Sequence, residues 1–432
     1  MPYATIIIGL IVLVTLHELG HFLAARAVGI RVTKFYLFFP PAVFKKKIGD
    51  VEYGIGALPL GGFVKLPGMF EPVPREVAER VRWELEEITP RVDDGDLKLR
   101  LDASTRQMRS VTLVERLAEP LRELDESLAA AATGTSDADL RKRIAKARER
   151  ITGMLDDVHP KAYWRAALWR RMVVIFAGPL MNLVIALVVL TAFWWQLVPH
   201  YEITGPAKGV PTKASPAADA GLTKGSKVIE WNGPIKGLTV TEFGERIADS
   251  RGKPIKAVWL NSDGDRISKT IVPEQLDAKD PTKLIGFGFN DIERDRVGYE
   301  DISFGRGAHL AVIEMKDITW GNIKGIGKVA VSSKAREQVG SVVGIVQFAD
   351  EVDRNDLTVR YIGLISLVLA VMNLLPLLPL DGGHLLFGVL EKARRGRVMP
   401  RVAFERYSLI GIALVLLLFF IGLDNDLSRS SG

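Results

Sequence analysis

Thirteen apolar residues, Ala4 to Leu16 (ATIIIGLIVLVTL), run without a break into His17-Glu18-Leu19-Gly20-His21. Nothing else in the chain constrains the fold as much. Continued to Val28, the stretch predicts a membrane-spanning helix, because a helix satisfies its own backbone in lipid. Ionisable groups are costly there, by roughly 3 kcal/mol or more for a central acidic residue. On a helix His17 and His21 are i and i+4, stacked on one face, where both can reach a single Zn²⁺. Glu18, on the adjoining arc, is positioned to take a proton from a water at the metal. Two competing readings remain: histidines that hydrogen-bond between helices, or a metal-transport path. A third ligand decides among them.

The ligand search is short. The 432-residue chain has no cysteine, so disulfides and thiolate sites are excluded and a metal must rest on His, Asp or Glu. Only six histidines exist: His17, His21, His159, His200, His309 and His384. Apolar residues make up 48% of the chain and charged ones 25%, so apolar and polar blocks must alternate. The N-terminus has no basic leader and no evident cleavage site, and it is read as a retained helix rather than a signal peptide.

Along the chain, Gly54 to Gly68 (GIGALPLGGFVKLPG) is too rich in Gly and Pro for a helix and reads as a membrane-associated hairpin or re-entrant loop. Such a loop can offer a strand edge to an extended peptide. Residues 71–160 form a soluble helical insertion, with Val77–Ile88, Thr112–Ala132 and Asp137–Val158 carrying apolar residues at helical spacing. A second span covers Met172 to Val198. Its Gly178-Pro179 predicts a kink, and its Asn182 an interhelical hydrogen bond. Residues 203–290 read as one small domain of short strands, a helix and Asn-Gly and Asp-Gly turns. Residues 291–355 are a juxtamembrane segment. A third span runs from Tyr361 to Leu380 and a fourth from Tyr407 to Leu423. The domains are therefore 1–70, 71–160, 161–200, 203–290, 291–355 and 356–432.

Basic residues sort by loop. Arg26, Arg31, Lys34 and Lys45–Lys47 follow the first span, and Lys161, Arg165, Arg170 and Arg171 precede the second. Lys392, Arg394, Arg395, Arg397, Arg401 and Arg406 lie between the third and fourth. The positive-inside rule then puts both termini outside, and the net charge of +6 reflects orientation rather than a nucleic-acid footprint. His17 lies roughly fifteen residues, or about 22 Å, from the outer start, toward the cytoplasmic side. The third span enters from outside and ends in Leu380-Asp381-Gly382-Gly383-His384, at the same depth. Asp381 or His384 can thus supply the third ligand, leaving a position open for water, as in a catalytic zinc site.

HELGH at 17–21, FAGPLMN at 176–182 and NLLPLLPLDGGH at 373–384 resemble the site-2 intramembrane metalloproteases of bacteria, over nearly the whole chain. The segment from about Gly205 to Leu276 is similar to their PDZ domain. The resemblance implies a polytopic α-helical membrane protein of the bacterial inner membrane. It would have about four transmembrane helices, the hairpin loop, the cytoplasmic insertion and one extracytoplasmic PDZ domain. It implies one catalytic Zn²⁺ held by His17, His21 and Asp381, with Glu18 activating water and His384 and Asn182 as supporting residues. Asn373 is expected to contact substrate, and the loop, through Gly54, Ile55 and Gly56, to pair with a substrate strand. The expected substrates are single-pass membrane proteins in the lipid bilayer, such as an anti-sigma factor already cut by a site-1-type protease. Two alternatives remain, a PDZ scaffold with a dead site and a metal transporter. A transporter would string polar groups across the bilayer, whereas these gather at one depth. The insertion is larger than the family pattern leads one to expect.

Overall fold

The computed structural model describes residues 2–211, 215–250, 252–272, 287–329, 332, 357–396 and 401–430. The chain divides into two compact units, one of residues 1–190 and 312–432, the other of residues 191–311.

The first unit opens with α1 (Pro2–Ala27). Its Gly20 lets the helix backbone approach α6 (Leu168–Ala192), since a Cβ there would lie 2.5 Å from the Ala177 carbonyl oxygen. Among the described residues, three helices are long and apolar enough to cross a membrane: Ala4–Ala27, Leu168–Leu197 and Arg401–Asp426. The last belongs to a helix of 30 residues, Arg401–Ser430, longer at both ends than the 17-residue span expected.

The expected third span is broken. A 16-residue helix, Thr358–Asn373, spans only about 24 Å at 1.5 Å per residue, and a new helix begins at Asp381. Pro376 and Pro379 cause the break, because neither can donate a backbone hydrogen bond and each disfavours helix in the residue before it. The Tyr407 hydroxyl donates to the freed Pro376 carbonyl.

Between α1 and α6 lies a long hairpin, β1 (Lys34–Ile48) and β2 (Val51–Lys65), turned at Gly49 with φ +60°. It folds back on itself. Segment 52–55 is paired on both edges, Gly54 with Tyr36 and Lys45, and Ile55 with Leu37 and Phe44. Segment 62–65 pairs with 34–37 alone, so among the described residues its second edge is open. The hairpin therefore starts well before Gly54, and most of Gly54–Gly68 is its second strand.

The insertion is a four-helix unit, one helix more than the three stretches at helical spacing: α2 (Pro74–Glu86), α3 (Gly95–Ser110), α4 (Ala118–Gly134) and α5 (Ala138–Asp157). Its own core includes Val81, Leu101, Met108, Leu121, Leu124, Leu128, Ile144 and Ile151. The Asp93–Gly95 stretch, which reads as a break, is the start of α3, where the Asp94 carboxylate accepts from the Asp96 and Leu97 N–H groups.

In the second unit, β3 (Pro199–Pro211), β4 (Lys227–Trp231), β5 (Ile255–Leu260), β6 (Arg266–Ile271) and β7 (Phe287–Tyr299) form an antiparallel sheet in the order β6-β5-β4-β3-β7. Two short helices, α7 (Pro216–Ala220) and α8 (Val240–Asp249), accompany it, the second closed by a Thr239–Glu242 capping box. Trp231, Phe243 and Trp259 fill the core. The domain reaches Tyr299, past its expected limit, because β7 returns to pair with β3. Helix α9 (Phe304–Val329) follows. The rest of the expected juxtamembrane segment, from 330, lies outside the described residues apart from 332. The remaining helices are α10 (Thr358–Asn373), α11 (Asp381–Ala393) and α12 (Arg401–Ser430).

Candidate metal centre

His17 and His21 are both buried on α1, one turn apart, with Nε2 atoms 3.3 Å from each other. Asp381 completes the cluster from the first residue of α11, its Oδ2 lying 3.2 Å from His17 Nε2 and 3.3 Å from His21 Nε2. A carboxylate is also favoured at a helix N-terminus. Helix α11 is pinned to α6 by a partly buried ion pair, Arg171 Nη2 to Glu391 Oε1 at 2.6 Å. Thus residues some 360 positions apart in sequence converge on one point.

The surroundings fit the three as metal ligands. His21 Nδ1 donates to the Val174 carbonyl at 2.8 Å, which fixes the tautomer and leaves the Nε2 lone pair inward. Asn182 contacts His17 Nδ1 at 3.4 Å through its amide, while its Oδ1 is a buried atom without a partner. Rotating the amide resolves both facts: Oδ1 then accepts from His17 Nδ1–H and frees His17 Nε2 for a metal. Asn182 therefore does more than link helices, although the Ser366 hydroxyl does donate to its backbone carbonyl across to α10. Two imidazoles and one carboxylate, with no further protein donor in the cluster among the described residues, match the donor set of a catalytic zinc.

Around this point lies a cavity of about 660 Å³, lined by Glu18, Asn373 and His384 as well as the three ligands. The Glu18 carboxylate lies beside the Val64 N–H. His384 stands apart from the ligand atoms, its ring 5.2 Å from that of Phe404. Of the loop, Gly61 to Leu66 line the cavity. Gly54, Ile55 and Gly56 do not; they lie between neighbouring segments, and a Cβ at Gly54 would be 2.6 Å from the Phe44 carbonyl oxygen. The three residues expected to meet substrate thus sit inside the hairpin, away from the cavity lining. The lack of a side chain at Gly54 and Gly56 serves the hairpin's own packing, and the open edge is 62–65.

Two glycines escape sequence reasoning. A Cβ at Gly62 would overlap Glu18 Cγ, and one at Gly178 would overlap His21 Nε2 and lie 2.8 Å from His17 Nε2. Gly178-Pro179 reads as a kink, yet the glycine's task is to clear room for the imidazoles. Its signal in the sequence is the FAGPLMN motif at 176–182, which holds it together with Asn182.

A membrane-embedded metallopeptidase is the class that this helix frame and donor set define. The model of peptidase family M50 matches residues 5–418, and the chain belongs to that family, the site-2 type of metalloendopeptidase. It is 29% identical to the zinc metalloprotease RasP of Geobacillus kaustophilus, over 96% of this chain and 95% of the relative. Identity is 26% to RasP of Bacillus licheniformis and 26% to the regulator of sigma-W protease RasP of Bacillus subtilis, each over 96% of both chains.

Asp381→Asn should lower zinc affinity by at least about 100-fold, more than the roughly 10–100-fold that loss of an outer partner costs. Metal content after dialysis against a zinc buffer measures it. Unchanged stoichiometry would transfer the ligand role to His384.

Proposed function

We propose that this metallopeptidase hydrolyses peptide bonds within, or at the edge of, the membrane-spanning segment of single-pass proteins. The observation that carries the reading is a single cavity lined by three convergent ligand atoms, a carboxylate and an open strand edge. A zinc ion held by His17, His21 and Asp381 supplies Lewis acidity toward the scissile carbonyl and acidifies water. Glu18 takes the proton from that water and delivers it to the leaving amine. The Val64 N–H beside it favours the carboxylate, as a water-excluding apolar wall would not.

Helical amides are hydrogen-bonded to their own chain, so the substrate must unwind to be cut. The free edge of 62–65 compensates by offering backbone partners to an extended segment, the mode of strand addition. Asn373, on the cavity wall, contacts that segment.

The loop charges put the hairpin and insertion in the cytoplasm and the five-stranded unit outside, as a PDZ domain that screens entering substrates. Its five strands and two helices support that assignment. An anti-sigma factor shortened by an upstream protease suits such a screen. The name of the Bacillus subtilis relative, a regulator of sigma-W protease, supports this class of substrate.

Chelation should abolish cleavage of a single-pass reporter by the purified protein in lipid, and added zinc should restore it. Cleavage that persists in the chelated, zinc-free protein overturns the reading.

A further inference from the structure

The four-helix insertion has no part in the chemistry above, yet a second concavity of about 980 Å³ runs between its α2 and α5 and ends at Lys65. Lys65 also lines the metal cavity and is the last residue of the open strand edge. The two spaces thus share Lys65 as a common wall residue. The insertion is fastened at this junction: Gly68 N–H donates to Asp157 at 2.8 Å, and the Trp164 indole N–H donates to the Asp157 carbonyl at 3.0 Å.

On α5 the wall is formed by Lys146, Arg150, Gly153 and Asp157, recurring at helical spacing on one face. From Lys146 to Asp157 that face is roughly 16 Å long at 1.5 Å per residue. It accommodates about five residues of extended chain at ~3.3 Å each. Glu76, Arg80 and Trp83 face it from α2, with Trp83 63% exposed.

Gly153 is the informative residue. In mid-helix it costs about 1 kcal/mol against alanine. Its φ is not left-handed, and a Cβ there would meet only Lys65 Nζ, at 3.9 Å. Neither backbone geometry nor packing within the chain requires a glycine, so the missing side chain keeps the groove open.

The charges point to the occupant. The groove's carboxylates are engaged: Glu84 with Arg150, Glu149 with Lys34, Glu76 with Arg401, Glu79 with Arg75 and Asp157 with the Gly68 N–H. Lys65 and Arg80 also act on Asp157, but from beyond ion-pair distance, and among the described residues Lys146 has no carboxylate within that distance, so all three keep capacity for an anionic guest. We propose that the α2–α5 groove binds the substrate's own flank, an extended acidic stretch that continues from the strand paired with 62–65. This makes the insertion a specificity element of the same active site. The inference rests on the proposed peptide-hydrolase reading.

The test uses the full-length protein in lipid and three reporters sharing one transmembrane segment, with an acidic flank, a basic flank or none on the insertion side. The parental enzyme should cut the acidic-flank reporter with kcat/KM about tenfold above the other two, through KM. Gly153→Trp, which fills the groove without touching backbone, should lose that preference while cutting the flankless reporter normally. Arg80→Glu with Lys146→Glu should transfer the preference to the basic flank. An unaltered preference in both variants, or an equal loss on all three reporters, overturns the groove assignment. A parental enzyme that cuts none of them overturns the peptide-hydrolase reading instead.

Discussion

Glu18→Gln should keep its full complement of zinc and lose turnover by a factor on the order of 10²–10⁴, the usual contribution of a positioned acid–base group. The substitution is close to isosteric. The 62–65 edge keeps its place beside the site, because its pairing with 34–37 does not involve residue 18. What disappears is the capacity to take and return a proton. The three ligand atoms are untouched, since none belongs to residue 18. Thermal stability should hold or rise, because a neutral amide costs less than a carboxylate in a membrane-embedded cavity. Metal content, melting temperature and kcat on one reporter separate these effects. A variant retaining more than about a tenth of parental kcat, against that expected range, removes Glu18 from the proton path.

The residues most legible in the sequence were the ones most costly to keep. His17, Glu18 and His21 announce themselves because ionisable groups interrupt an apolar helix, and Asp381 because it ends an apolar run at the same depth. The structure brings the two histidines and Asp381 to within 4.8 Å of one another. Spacing alone could not select Asp381 over His384, because both lie on the first turn of α11 and only the turn at 374–380 decides which faces the histidines.

That turn was itself hidden. Five leucines between Asn373 and Asp381 read as span, and hydropathy outweighs two prolines in such a count. The hairpin posed a different problem. Gly and Pro content identifies irregular or extended backbone, but which edge stays open depends on β1 pairing with two separate stretches of β2. No local pattern encodes that fold-back. Helix α3 was missed because Asp94 and Gly95 look like an interruption, whereas Asp94 caps the helix that follows.

Gly178→Ala should remove the metal without removing the fold. In an ordinary helix this change is stabilising by as much as about 1 kcal/mol, since alanine restricts the unfolded chain. At 178 the added Cβ would overlap His21 Nε2 and lie 2.8 Å from His17 Nε2, so at least one imidazole must leave its position. His21 is held on its other side by the Val174 carbonyl at 2.8 Å, and His17 by the Asn182 amide, so neither ring can retreat without losing that bond. Zinc affinity should fall by about 100-fold or more, as in sites whose ligand orientation is lost. Melting curves resolve the cause. In chelator the variant should melt at or above the parental temperature. With zinc at about 100 times the parental Kd, the parent should gain about 2.7 kcal/mol of stability and the variant much less. Gly321→Ala, at a helical glycine of α9 with nothing within 4 Å of its Cβ position, is the control and should leave zinc binding unchanged. Parental zinc affinity in Gly178→Ala would mean that α1 and α6 can separate at no cost to the site, and the close approach at Gly20 and Ala177 argues against that freedom.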